Sequence, residues 1–296
     1  MSSTQRFLRP LKKIHVLLVR WGLDTRNYYQ LLQAKRKGKN VVYVHFARVN
    51  NFGDQFNYDL TRFFGTQLIY THSYKKSQMA LCGSILGSYL RDYTGYVLGA
   101  GFIAARYNRR GNDWKVKIIR GPLSAAQCGL KDDGVVYADP GILASQIYPK
   151  SLKKKYKLGV LPHSKDVAQM EKLPWTEQVK LIHPRRNPSE VAAEIKQCDH
   201  IVSSSLHGLI FADAFRIPII HLKISNQLTG GLHKFKDYYQ GMNMEYENVK
   251  WSQDTAVDDL ISACKLRCTD NYLAGKQKEV AAIIKEILAA ESLKNK

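Results

Sequence analysis

Acidic residues are scarce in this chain. Only 25 aspartates and glutamates stand against 45 lysines and arginines, a formal charge of +20 over 296 residues. Such a surplus argues against a basic partner and turns attention to anions: phosphate esters, nucleic acid or an anionic membrane face. Cysteine is scarce too. The five present (Cys82, Cys128, Cys198, Cys264 and Cys268) are odd in number and scattered. Cys264 and Cys268 suit one helical face but lack a His/Cys pair to complete a zinc site. No disulfide framework and no metal is expected, and a reducing, cytoplasmic compartment is. Long apolar runs are missing as well: "IHVLLV" (14–19) is too short and too closely flanked by charge to span a bilayer or serve as a signal core. No internal repeat stands out. Neither the aromatic strand signature of an RNA-recognition sheet nor a helix-turn-helix is visible, so no nucleic-acid partner is expected.

What is there divides into three. Residues 1–40 hold ten lysines and arginines against the single acid Asp24, with Leu8, Leu17, Leu18, Trp21 and Leu31 interleaved. That is the composition of a segment lying on an anionic membrane surface, with a merely soluble basic face as the alternative. Its removal is then expected to abolish sedimentation with anionic vesicles at low salt. From Val41 the pattern becomes short apolar runs alternating with helical stretches: strands at 41–46, 79–83, 96–101, 116–121 and 135–139, with helices after Asp54 and Pro122. The lysine-rich "YPKSLKKKYK" (148–157) reads as a linker. Beyond it come strands at 158–163, 179–184, 200–203 and 217–222, a helix over 188–198, another from Leu206, and two terminal helices suited to packing back across the junction. The expectation is an α/β protein of two Rossmann-like domains, 41–150 and 151–296, facing a cleft in the manner of the glycosyltransferase-B fold.

Four segments stand at strand ends, where such a cleft collects ligands. In "NNFGDQFN", Gly53 permits a tight turn, while Asn51 and Asp54 are either helix caps or site residues. In "IIRGPLSAAQCGL", Arg120 precedes a Gly-Pro helix start; a surface arginine is the ordinary alternative, but a strand-ending guanidinium suits bidentate recognition of carboxylate or phosphate. In "VLPHSKD", His163 follows a buried strand, with Lys165 and Asp166 beside it. The fourth, "DHIVSSSLHGLIFADAFRIPII", carries Ser205, Leu206, His207 and Gly208 from a strand end into a helix. Free N–H groups there favour an anion. An anion beside His207 would raise its pKa and ready it to donate a proton.

Taken together and in order, these segments, with "VLGAGF", "YADPGIL" and "HKFKDYYQGM", resemble the polysaccharide pyruvyltransferases, most closely the branch with the succinoglycan ketal-forming enzymes. The resemblance runs from about Val41 to Met242. It implies transfer of the pyruvyl group of phosphoenolpyruvate to two hydroxyls of one sugar, in a polysaccharide or its lipid-linked precursor, with a cyclic ketal and free phosphate as products. No cofactor is implied beyond that donor substrate. Arg120 and His207 would be donor-binding and catalytic positions, His207 the acid and His163 or Asp54 the base. One departure stands out: many relatives have an arginine before the Leu-His pair, where this chain has Ser205. The replacing cation is then to be found among Arg185, Lys165, Lys234 and Lys236. Two other classes fit parts of the pattern, a nucleotide-sugar glycosyltransferase and a non-enzymatic basic protein of the membrane surface.

Overall fold

Short apolar runs broken by glycine and polar turns cannot bury both faces alone, and here they assemble into two sheets whose named strands all pair in parallel. The computed structural model describes residues 25, 27–47, 50–89, 92–105, 114–130 and 134–293. The first sheet has the order β2-β1-β3-β4-β5-β6, from β1 (Asn40–Val44), β2 (Thr66–Tyr70), β3 (Met79–Ala80), β4 (Tyr96–Leu98), β5 (Lys115–Ile119) and β6 (Val136–Tyr137). The second has the order β11-β10-β9-β7-β8, from β7 (Tyr156–Leu161), β8 (Val179–Leu181), β9 (Cys198–Ser203), β10 (Ile219–Lys223) and β11 (Asn248–Lys250). This is the expected α/β class with two Rossmann-like sheets.

Several strands stop short of their apolar runs. In "YVLGAG" the strand ends at Leu98 because Gly99 takes φ +111°, and a Cβ there would lie 2.1 Å from Pro140. Only glycine turns the chain so sharply at that point. The freed segments then form the cleft rather than the sheet. Two strands have no counterpart in the sequence reading. β2 is hidden because Gly65, at φ +75°, ends the preceding helix one residue before it, and it opens on the polar pair Thr66-Gln67. β11 is a three-residue edge strand with two of its residues exposed, so it carries no apolar signature.

Six helices matter for the site: α1 (Phe52–Phe63), α2 (Pro122–Gln127), α3 (Pro188–Lys196), α4 (Leu206–Ala214), α5 (His233–Gly241) and α6 (Asp270–Leu293). α4 is apolar apart from His207 and Asp213, and every residue in it except His207 is buried. Such a helix belongs inside a core. Phe211 meets Phe52 at 5.1 Å and Phe56 at 5.0 Å between ring centroids, edge to face. One apolar core thus joins Phe52, Phe56 and Val42 of the first half to Leu161, Ile201 and Leu209 of the second.

The lysine-rich stretch between the sheets is tied down at both ends: Lys196 Nζ donates to the carbonyls of Tyr148 and Lys150, and Lys154 Nζ to that of Cys198. α6 returns to the first sheet, where Gln277 Nε2 donates to the Ile142 carbonyl at 2.7 Å and Gln78 reaches Glu291. The basic segment falls mostly outside the described residues. Its last part is a helix over 27–36, with Ala34 and Leu31 packed on Val41 and Ile69 and with Tyr28 and Tyr29 more than 60% exposed.

Candidate active site

Both sheets end their strands at one pocket of about 320 Å³ between the halves. Asn51, Asp54, Ser84, His163, Lys165, Ser205, Leu206, His207 and Lys234 line it. The first half contributes through α1. Asn51 caps that helix by accepting from the Asp54 backbone N–H at 2.9 Å, while its own amide donates to Asp54 Oδ2. Asp54 thereby faces the pocket from the first turn. Burial raises its carboxyl to about 7, against the lowering effects of the Asn51 hydrogen bond and the Lys234 charge. A carboxyl so placed holds a proton near neutrality.

The second half contributes two histidines and a lysine. In "SSSLH", Ser203 Oγ accepts from the Ser205 backbone N–H at 3.0 Å and lies 2.7 Å from the Leu161 carbonyl, so β9 stays locked to β7 where the chain turns into α4. Ser204 Oγ donates to Asp166 Oδ2 at 2.7 Å and accepts from the His163 backbone N–H at 2.8 Å. Ser205 then occupies the N-cap of α4 without a side-chain cap bond. Ser205, Leu206 and His207 line the pocket, and the first-turn N–H groups of a helix have no intrahelical acceptor. Gly208 serves packing: a Cβ there would lie 2.3 Å from Ser203 Oγ.

The His207 ring lies on the backbone of Gly53, where a Cβ would be 2.0 Å from Nδ1. Nε2 faces Asp139 Oδ2 at 4.0 Å and has no hydrogen-bond partner among the described residues. Burial holds His207 below the ordinary histidine range; Asp139 opposes this, and Lys234 and Arg120 add to it. The imidazole is neutral at pH 7, with a carboxylate behind it. Asp139, the N-cap of a short turn over Pro140–Leu143, has its other oxygen on the Gly141 N–H at 2.9 Å. No periodicity marks Asp139 as a site residue. The signal was its place at a strand end, in "YADPG".

His163 is pushed down to about 4, first by burial and then by Lys234, with Asp166 opposing. Its Nδ1 accepts from the Lys165 backbone N–H at 3.2 Å, which leaves the proton on Nε2. In that tautomer His163 is a hydrogen-bond donor and a poor base.

The four candidate cations separate clearly. Arg185 and Lys236 are exposed and do not line the pocket. Lys165 is exposed at the mouth, with Nζ donating to the Gln227 carbonyl at 2.9 Å. Lys234 is 7% exposed, and its ammonium, 5.1 Å from the centroid of the Phe235 ring, makes no hydrogen bond or ion pair among the described residues. Burial, then Arg120, bring it down to about 8, with Asp54 and Asp166 opposing. A buried, unpaired ammonium carries a desolvation penalty that an anionic ligand would relieve.

Arg120 is not presented to the pocket. Its guanidinium is fully buried, with Nε on Asp237 Oδ2 at 2.9 Å, one NH₂ group on Ser84 Oγ at 2.7 Å and the other on the Phe102 carbonyl at 2.5 Å. The fork faces a carboxylate, but that carboxylate belongs to α5, 117 residues away. Asp237 also accepts from Ser124 N and Oγ, and the close approach leaves no room for a Cβ at Gly121, 1.8 Å from the Asp237 carbonyl oxygen. This node clamps α5 on α2 and so aims Lys234. Arg120→Ala should cost on the order of 3–5 kcal/mol in urea unfolding by stranding Asp237. The double change Arg120→Met with Asp237→Leu should recover a large part of it, and equal midpoints for the single and double variants would contradict the clamp.

Among the described residues no group of three or more His, Cys, Asp or Glu is arranged to hold a metal ion. No described helix is long and apolar enough to cross a membrane. A family model described as polysaccharide pyruvyl transferase matches residues 1–226. The chain is 26% identical over 231 residues to the succinoglycan biosynthesis protein ExoV of Rhizobium meliloti (strain 1021), covering 75% of this chain and 71% of that protein. It is 28% identical over 233 residues to uncharacterized protein L143 of Acanthamoeba polyphaga mimivirus, covering 72% of this chain and 78% of the other. The family match stops before α5, so Lys234 and Asp237 lie beyond it.

Proposed function

This chain belongs to the polysaccharide pyruvyl transferase family, and from that premise we propose that the pocket takes phosphoenolpyruvate and moves its pyruvyl group onto two hydroxyls of one sugar, closing a cyclic ketal and releasing phosphate. The observation that carries this reading is the buried Lys234, unpaired among the described residues, which lines one small pocket with Asp54, whose carboxyl burial raises to about 7, and with a neutral His207. Phosphoenolpyruvate bears a phosphate and a carboxylate on one carbon, and the anion sites offered are Lys234, the open first turn of α4, the His163 Nε2–H and, at the mouth, Lys165.

The chemistry needs a proton on the methylene carbon, which makes C2 electrophilic, and a base for the attacking hydroxyl. In the proposed division of labour Asp54, raised to about 7, supplies that proton, and His207, backed by Asp139, takes the first hydroxyl's proton. This reverses the parts that position alone assigns, because the burial of Asp54 keeps a proton on it while His207 starts neutral. C2 then bears one sugar oxygen and the phosphate. The C–O bond to phosphate breaks with its electron pair on phosphate, the second hydroxyl adds to C2, and of the two hydroxyl protons one replaces that lost by Asp54 and the other leaves with phosphate. The acceptor in this reading is a polysaccharide unit or its lipid-linked precursor, met at a cytoplasmic membrane face by the basic segment.

A pocket of about 320 Å³ suits a three-carbon phosphate ester better than a nucleotide sugar. Thermal shift separates the two, since a ligand bound only to the native state raises its stability by mass action. Phosphoenolpyruvate should raise the midpoint saturably and nucleotide sugars should not; the opposite pattern would favour a glycosyltransferase.

A further inference from the structure

A second, larger hollow opens beside the donor pocket. It has a volume of about 650 Å³ and runs along the outer side of α1. Its lining differs in kind from that of the pocket. Five carboxamides, Gln30, Asn50, Gln55, Gln67 and Asn187, converge on it from the helix over 27–36, α1 and its approach, β2 and the start of α3. The half-buried ring of Tyr58 lies among them, held edge to face on Phe46 at 5.5 Å. The charged groups there compensate one another: Arg62 is paired with Asp59 at 2.7 Å, and Asp59 also accepts from the Tyr148 hydroxyl at 2.6 Å.

That chemistry is selective. Among the described residues, no cation in this lining is left unpaired for a phosphate, and too little apolar surface faces in for a lipid chain. A carboxamide both donates and accepts, which matches the two-way hydrogen bonding of a sugar hydroxyl. A fixed aromatic ring offers an apolar face to sugar C–H groups. The hollow also lies next to the chemistry. On α1, residues 55, 58, 59 and 62 share one face at helical spacing, while Asn51 and Asp54 turn to the donor pocket. Asn50 and Asn51 are neighbours, one in each cavity, and Pro184 of the pocket lies three residues before Asn187 of the groove.

We propose that this groove is the acceptor subsite and that it takes an extended, neutral oligosaccharide, so that the sugar receiving the ketal is presented as part of a chain and not as a monosaccharide. The proposal rests on the donor reading above for its reaction but not for its ligand. The groove's size, several-fold that of a single sugar ring, sets the expected preference for length.

Saturation-transfer NMR with β-1,4-linked tetrasaccharides of glucose, galactose and mannose, alongside the three monosaccharides, tests it on the full chain. At least one tetrasaccharide should bind about tenfold or more tightly than its monosaccharide. The double change Asn50→Ala with Gln55→Ala, one on the approach to α1 and one on its outer side, should weaken that binding at least about fivefold. Stabilisation by phosphoenolpyruvate, measured on the same samples, reports separately on the donor pocket. Loss of sugar binding with that stabilisation retained is the expected signature, and Gln67→Ala, on a different element, should reproduce it. The proposal is overturned if no tetrasaccharide binds the parent, or if both variants bind sugar as the parent does. Sugar binding without any response to phosphoenolpyruvate would keep the groove and remove the donor reading.

Discussion

Replacing Lys234 with methionine is expected to make the empty protein more stable and to remove its response to phosphoenolpyruvate. A lysine whose folded pKa is depressed, here to about 8, contributes stability only above its unfolded value, and that contribution is lost as pH falls through the folded value. At pH 7 the ammonium is therefore a charge held in the core at a cost of roughly 2–4 kcal/mol. Methionine keeps most of the volume without the charge, so the thermal midpoint should rise at pH 7 and the advantage should fade above about pH 10. The same change deletes the proposed buried partner of the donor. Breaking a desolvated charge pair costs about 3–5 kcal/mol, so the dissociation constant by calorimetry should rise by about 10² or more. Donor binding unchanged beside a higher midpoint would place the anion elsewhere in the pocket. A lower midpoint would mean that Lys234 has a structural partner.

The second large effect concerns proton transfer. Asp54→Asn and His207→Asn should each lower turnover by roughly 10²–10⁴ while leaving donor binding measurable. Their pH profiles should differ. In kcat/KM the free protein needs Asp54 protonated, which fails as pH rises through about 7, and His207 neutral, which fails as pH falls below its depressed value. A bell results. Residual activity in Asp54→Asn should lose the alkaline limb near 7, and that in His207→Asn the acid limb. The reverse pattern would restore His207 as the proton donor. Asp54→Asn carries an independent stability signature as well. A carboxyl raised from 3.8 to about 7 gives stability that is present below 3.8 and lost as pH rises through about 7, so the variant should gain on the parent at pH 8 and much less at pH 4.

The fold class and the meeting of Asp54, His163 and His207 were legible because both follow from one local rule. Parallel strands deliver their C-terminal ends to the same edge, so residues at strand ends gather there whatever the details between. What was not legible depends on partners distant in sequence. "IIRG" looks the same whether the arginine meets a ligand or a carboxylate 117 residues on, and only the packing of α5 decides that it is Asp237. Lys234 and Lys236 are two residues apart, and the helix places one in the core and the other in solvent. Asp139 approaches His207 only when the halves close on one core. The parts of His207 and Asp54 turn on burial, which strand-end position does not report.

The most direct test follows the carbon. The parent protein is incubated with phosphoenolpyruvate labelled with ¹³C at C2 and with a neutral oligosaccharide that occupies the groove, and the product is read by NMR and mass spectrometry. The expected result is a labelled quaternary carbon bonded to two oxygens of one sugar, with one phosphate released for each ketal formed. Labelled free pyruvate with phosphate, and an unmodified sugar, would contradict the transfer chemistry.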